Sequence, residues 1–114
     1  MRKENRMQFD RCIGSAKNSG FQAVNLAACF GASRIILIGF DMTLAGGSHW
    51  HGDHTGGLTN PSKVKIRQWA TAMDGAAVDL LHIGVEVLNA SPVSSLTAYP
   101  KMTLSEAAKC FHLF

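Results

Sequence analysis

Three histidines and one aspartate, His49, His51, Asp53 and His54, fall within six positions of this 114-residue chain. They sit in the segment Gly46-Gly47-Ser48-His49-Trp50-His51-Gly52-Asp53-His54-Thr55-Gly56-Gly57. Imidazole and carboxylate groups hold metals, grip phosphates and move protons near neutral pH. The framing glycines let backbone approach a ligand closely. Asp41 or Asp53 could pair with a loop histidine for acid–base work, or simply accept backbone N–H bonds that fold the loop. Trp50 would pack against the loop or stack on a base. A second cluster, Gly14-Ser15-Ala16-Lys17-Asn18-Ser19-Gly20, leads into a helix. A helix N-terminus presents free N–H groups to a phosphate. Lys17 would add charge there, Ser19 a hydroxyl and Gly20 close approach. Asn18, Gln22 and Asn25 recur at helical spacing as one polar stripe, suited to a base or sugar. The alternative is a capped helix with a solvated polar face. These glycines match neither the GxGxxG nor the P-loop spacing.

The elements that position these groups follow from periodicity and punctuation. Residues 7–13 are read as a short first strand. Residues 19–30 are read as a helix, with Ser19 and Gln22 in capping-box spacing and Gly31 as its stop. Ile35-Ile36-Leu37-Ile38 is apolar without alternation, the mark of a strand covered on both faces, here over 34–39. Residues 40–60 form a long Gly-rich loop, and loops of that length usually carry function. Asn60-Pro61 opens a helix over 61–82, with Ile66, Trp69, Ala70, Met73, Ala77, Leu80 and Leu81 at helical spacing and Gly75 as a local weak point. Trp69, Met73 and Phe30 are expected in the core. Gly84 stops that helix, and Val85 to Asn89 form the next strand. Ser91-Pro92 turns the chain, and Thr103 with Glu106 opens a last helix of about ten residues in capping-box spacing.

Helix, glycine, strand occurs twice. That order predicts an α/β fold with a small Rossmann-like parallel sheet and crossover helices, half of a doubly wound nucleotide-binding fold, as a single domain over 1–114. Ligands of such sheets bind outside the carboxyl ends of the strands. Residues 14–22, 39–57 and 89–95, Ser91 among them, would meet there.

Composition bounds the rest. Apolar residues make up 46% of the chain, which places it among globular proteins. No apolar run approaches membrane-spanning length, and none follows the charged start as a signal core, so the default location is cytoplasmic. Cys12, Cys29 and Cys110 are odd in number and form no CxxC pair, so reduced thiols are expected. The net charge of +3 favours an anionic ligand but is too small for duplex nucleic-acid binding. Lys63 and Arg67, one helical turn apart, form a solvated face or reach a phosphate.

Two resemblances add to this. His49-x-His51-x-Asp53-His54 followed by Gly56-Gly57 resembles the HxHxDH signature of the metallo-β-lactamase superfamily, which implies zinc held by His49, His51, Asp53 and His54 and hydrolytic chemistry. That fold is about twice this length and uses ligands far downstream, where only His82 and His112 remain.

The second covers roughly residues 17–100. Asn18-Ser19-Gly20-Phe21-Gln22-Ala23-Val24-Asn25-Leu26-Ala27, then Gly31-Ala32-Ser33-Arg34-Ile35-Ile36-Leu37-Ile38-Gly39-Phe40-Asp41-Met42, resembles the C-terminal half of the phage and prophage norphogenetic proteins. That family is similar to MptE-like domains and, more remotely, to bacterial sialyltransferases. The likeness continues through His49 to His54, Asn60-Pro61, Trp69 and Val87-Leu88-Asn89-Ala90-Ser91-Pro92. It implies a Rossmann-like fold in which Asn18, Ser19 and Gly20 bind phosphate, Gly39 and Asp41 shape a nucleotide pocket, and one of His49, His51 or His54 is the general base. Longer relatives carry an N-terminal half with its own glycine loop, and few residues precede the match here. Binding of a nucleotide or nucleotide-sugar, such as sequestration of a nucleotide signal in a host cytoplasm, is therefore expected ahead of glycosyl or nucleotidyl transfer. An incomplete sheet also favours a homo-oligomer.

Overall fold

The computed structural model describes residues 6–9, 18–42 and 63–113. The described elements are α1 (Ser19–Cys29), β1 (Arg34–Leu37), α2 (Lys63–His82), β2 (Glu86–Asn89) and α3 (Leu104–Cys110). The two strands pair in parallel, in a register that sets Arg34 beside Glu86 and Leu37 beside Asn89. Helix α2 is the crossover between them. Asn89 also bridges Lys101, donating its N–H to Pro100 O (2.8 Å) and accepting from Met102 N–H (3.1 Å), so a further row begins beside β2.

Helices cover both faces of the sheet, which explains the unbroken apolar run. Leu37, Val87 and the half-buried Ile35 pack with Phe21 and Val24 of α1 and with Ala72, Met73, Ala76 and Leu80 of α2. Ile36 and Leu88 face the other way, toward Ala107 and Phe111 at α3. The result is a mixed α/β architecture with a small parallel sheet, as the alternation of elements implied.

Several boundaries differ from the sequence reading. No strand forms over the described residues 6–9, and residues 10–13 lie outside them. The reason is local: Gln8 gives its peptide bonds to a side chain of α1 instead of to a strand. Strand β1 stops at Leu37, two residues early, and Gly39 turns the chain with φ +76°. Helix α2 passes through Gly75 without a break. Phe30, expected in the core, is 82% exposed because it is the C-cap of α1 and projects past the helix end. Leu81 is 77% exposed, since the buried stripe of α2 runs through Ala72, Met73, Ala76 and Leu80. Met73 is fully buried, as expected, and Trp69 half-buried.

Glycines Gly31 and Gly84 end α1 and α2 in the same manner. Each has a positive φ, +94° and +79°. Each closes paired bonds back onto its helix: Gly31 N–H to Ala28 O and Ala32 N–H to Ala27 O, then Gly84 N–H to Leu81 O and Val85 N–H to Leu80 O, all 3.0 Å. This is the Schellman arrangement, which satisfies the last free carbonyls. Helix α3 ends in the same pattern with His112 in the glycine's place, at φ +56°. That stop shortens α3 to seven residues against the ten expected.

Candidate functional site

The carboxyl ends of β1 and β2 form a rim, and the first turn of α1 lies against it. Asn18, in extended backbone, caps the helix: its Oδ1 accepts the N–H of Phe21 at 3.0 Å. The expected Ser19 cap is therefore shifted by one residue. Ser19 is already helical and exposed, and Asn18 takes the role because its carboxamide reaches the same N–H groups. The N–H groups of Ser19 and Gly20 have no acceptor among the described residues. Neither α1 nor α2 carries an acidic residue in its first turn.

Gly20 is the contact point with the rim. A Cβ built there would come within 2.9 Å of Phe40 Cε2 and 3.1 Å of Asn18 Oδ1. The helix start can lie this close to the segment after β1 only because that position lacks a side chain.

The segment 39–42 is held by serines from the end of β2. Phe40 N–H donates to Ser91 Oγ (2.9 Å) and Ser94 Oγ donates to Phe40 O (2.6 Å). Ser95 N–H donates to Asp41 O (2.8 Å), and Ser95 Oγ to Met42 O (2.6 Å). Asn89, fully buried at the strand end, steadies the serines: its Oδ1 accepts Ser91 N–H (3.0 Å) and its Nδ2 donates to Ser94 Oγ (3.1 Å). Lys101 Nζ donates to Ser94 O at 2.7 Å. Met42 closes the segment at φ +53°, in the left-handed region.

Helix α2 ties the same rim from its middle. Asp74 accepts the N–H groups of Thr97 and Ala98, both at 3.0 Å, and the Tyr99 hydroxyl donates to Met73 O. A twenty-residue helix is about 30 Å long and a four-residue strand about 13 Å. The turns that carry Lys63, Lys65 and Arg67 therefore project beyond the rim, on the side of the α1 start.

The sequence-derived candidates divide three ways. Asn18, Ser19, Gly20, Gly39, Asp41 and Ser91 are brought to one rim, with Asp41 half-buried. Ser91 spends its hydroxyl on the Phe40 N–H, so it shapes the segment rather than facing a ligand with a free oxygen. Gln22 lies on the exposed side of α1. Asn25 does not belong to a ligand-facing stripe: it is 0% exposed, and its carboxamide is bonded to the backbone of Gln8. Lys17, His49, Trp50, His51, Asp53 and His54 lie outside the described residues, and the zinc set falls among them. Among the described residues no group of three or more His, Cys, Asp or Glu could hold a metal.

Sequence reasoning missed Asn89, Ser94 and Ser95 as the groups that build the rim. The available signal was three serines and an asparagine within seven positions directly after a buried strand. No helix among the described residues is long and apolar enough to cross a membrane. Comparison of the chain with protein-family models, with curated proteins and with solved structures finds no match.

Proposed function

We propose that the chain binds a nucleotide or nucleotide-sugar through its phosphate at this rim, as a homo-oligomer, and that it holds the ligand rather than converting it. One observation carries the reading: the N-terminus of α1, whose Ser19 and Gly20 N–H groups have no acceptor among the described residues, packs against the segment that leaves β1. Exposed N–H groups and the positive end of the helix dipole favour an anion there. The projecting start of α2, with Lys63 and Arg67, adds positive charge without a neighbouring acid in the first turn. Gly39, Asp41 and the chain at Ser91 supply a wall beside the phosphate for a sugar or base. Sequestration of a nucleotide signal is the role this reading assigns to the site.

Isothermal titration with nucleoside mono-, di- and triphosphates, nucleotide sugars and inorganic phosphate tests this. At least one member of the panel binds, and it is recovered unchanged after incubation. The decisive variant is Ser19→Glu. A carboxylate in the first helical turn favours the helix by about 0.3–1 kcal/mol but repels an anion at the same N–H groups. The melting temperature therefore holds or rises while affinity falls at least tenfold. No binding anywhere in the panel, or equal binding by Ser19→Glu, sinks the reading.

A further inference from the structure

Residues 6–9 lie outside the sheet and belong to no helix or strand, and side chains of two helices read them. Asn25 of α1 makes the pair of bonds that a neighbouring strand residue would make: its Oδ1 accepts Gln8 N–H (2.9 Å) and its Nδ2 donates to Gln8 O (2.7 Å). Cys29 Sγ donates to the same carbonyl at 3.2 Å. These bonds recognise backbone, whatever the side chain at position 8. Identity is read on either side. Met7 is a buried anchor at 5% exposure in the cluster shared by α1 and α2, and Phe9 packs against that cluster. Arg6 forks onto Asp79 of α2, with Nε on Oδ2 at 3.1 Å and Nη2 on Oδ1. A backbone clamp, one apolar anchor and one charge-reading carboxylate are the parts of a peptide-recognition site. The occupant is on view, since the chain supplies it.

We propose that the seam between α1 and α2 is a docking site for an extended segment of the type Arg-Met-x-Phe, filled here by residues 6–9 and able to take the same segment from a second copy once its own is displaced. The local segment competes at an effective concentration near the millimolar range because it is tethered. A free segment therefore binds only where the tethered one has been disabled. Asn25, buried and committed to backbone, sets the extended conformation. Asp79 sets the requirement for a cation one residue before the methionine.

The test uses the full chain carrying Met7→Asp, which disables the tethered segment and leaves the seam unaltered. A labelled synthetic peptide with the sequence of residues 4–11 is titrated by fluorescence anisotropy. It binds the Met7→Asp chain at least tenfold more tightly than the unaltered chain. Adding Asp79→Lys weakens this about fivefold, and a peptide with Arg6→Glu recovers the loss. A folded Met7→Asp chain that does not take the peptide, or takes it regardless of both charge changes, overturns the proposal. Should Met7→Asp not fold by circular dichroism, amide exchange in the unaltered chain decides. The Gln8 N–H exchanges at least tenfold faster than the Ala90 N–H, which is bonded to Leu37 O at 2.8 Å, because the segment opens by itself. Equal rates would make residues 6–9 part of the cooperative core and overturn the proposal in the same way.

Discussion

At the carboxyl end of the sheet, side chains take up much of the backbone bonding; at the amino end, α1 and α2 close on main-chain bonds. Asn89, Ser91, Ser94 and Ser95 bond the peptide groups of residues 40–42 and of one another. Asp74 and Tyr99 stitch the following turn to α2. Helices α1 and α2, in contrast, end toward the strand starts through bonds between main-chain groups. The first arrangement depends on particular residue types, so a substitution there removes bonds. The second depends on one dihedral angle per helix, so only the residue at the positive φ is critical. An end built from side chains can be shaped toward a ligand, and the α1 start opens at that end.

The largest effect falls on the most connected side chain. Asn89→Ala removes the acceptor of Ser91 N–H and a donor to Ser94 Oγ, leaves a buried N–H unpaired and opens a small cavity. The expected loss is about 3 kcal/mol in urea unfolding. A loss under about 1 kcal/mol would mean that Asn89 is not the keystone of the rim.

The chain's one tyrosine gives a pH-dependent probe of the same end. Burial pushes the Tyr99 phenol well above its ordinary range, and the charges of Asp74 and Asp79 push the same way. Its folded pKa is raised, so its contribution to stability is fully present below the unfolded value, about 10, and is lost as pH rises above it. Stability falls by up to about 1.4 kcal/mol per pH unit in that window. Phenolate absorbance near 295 nm should appear together with loss of circular dichroism. Ionisation near pH 10 in the folded chain would contradict the bond to Met73 O. Glu106 works at the acid end. Hydrogen bonds from the Thr103 N–H and hydroxyl hold its carboxyl below the usual range, so its part in capping α3 is present above about pH 4.3 and is lost on acidification.

At Gly20 the sign of the effect is diagnostic. Alanine favours a helix over glycine by about 1 kcal/mol, but here its Cβ meets the Phe40 ring at 2.9 Å. Gly20→Ala is expected to lower stability by about 1 kcal/mol in the native background and to raise it once Phe40→Ala has removed the ring. The double-mutant cycle reads contact between the α1 start and the rim directly. Stabilisation in both backgrounds would separate the two segments and undo the proposed phosphate site.

What the sequence revealed follows from which forces are local. The buried strands showed in their apolar runs, the helix stops in Gly31 and Gly84, and the α3 start in Thr103 with Glu106, because each depends on neighbours a few residues away. Asn25 misled for the opposite reason. It lies seven residues after Asn18 and shares its side of the helix, but a segment seventeen residues distant covers it. No periodicity reports that. Phe30 misled because its apolar side chain falls just past the helix end, where the chain turns away from the core. The staples Ser94 and Ser95 escaped notice because each looks like an ordinary turn residue until its partner across the sheet is known.

The smallest effects lie in the helix ends, where α1 closes on main-chain bonds and α3 has in addition the Arg34 guanidinium on the Phe111 carbonyl at 3.2 Å. Gly31 has open space where a Cβ would go, so Gly31→Ala tests the dihedral alone. It should cost about 1 kcal/mol, the penalty of a left-handed residue with a Cβ. His112 occupies the equivalent position after α3, at φ +56° and exposed. His112→Gly should therefore return somewhat less, about 0.5 kcal/mol, because the glycine also gains freedom in the unfolded chain. If His112→Gly destabilises instead, the imidazole holds the end of α3 together with Arg34, whose guanidinium bonds Phe111 O.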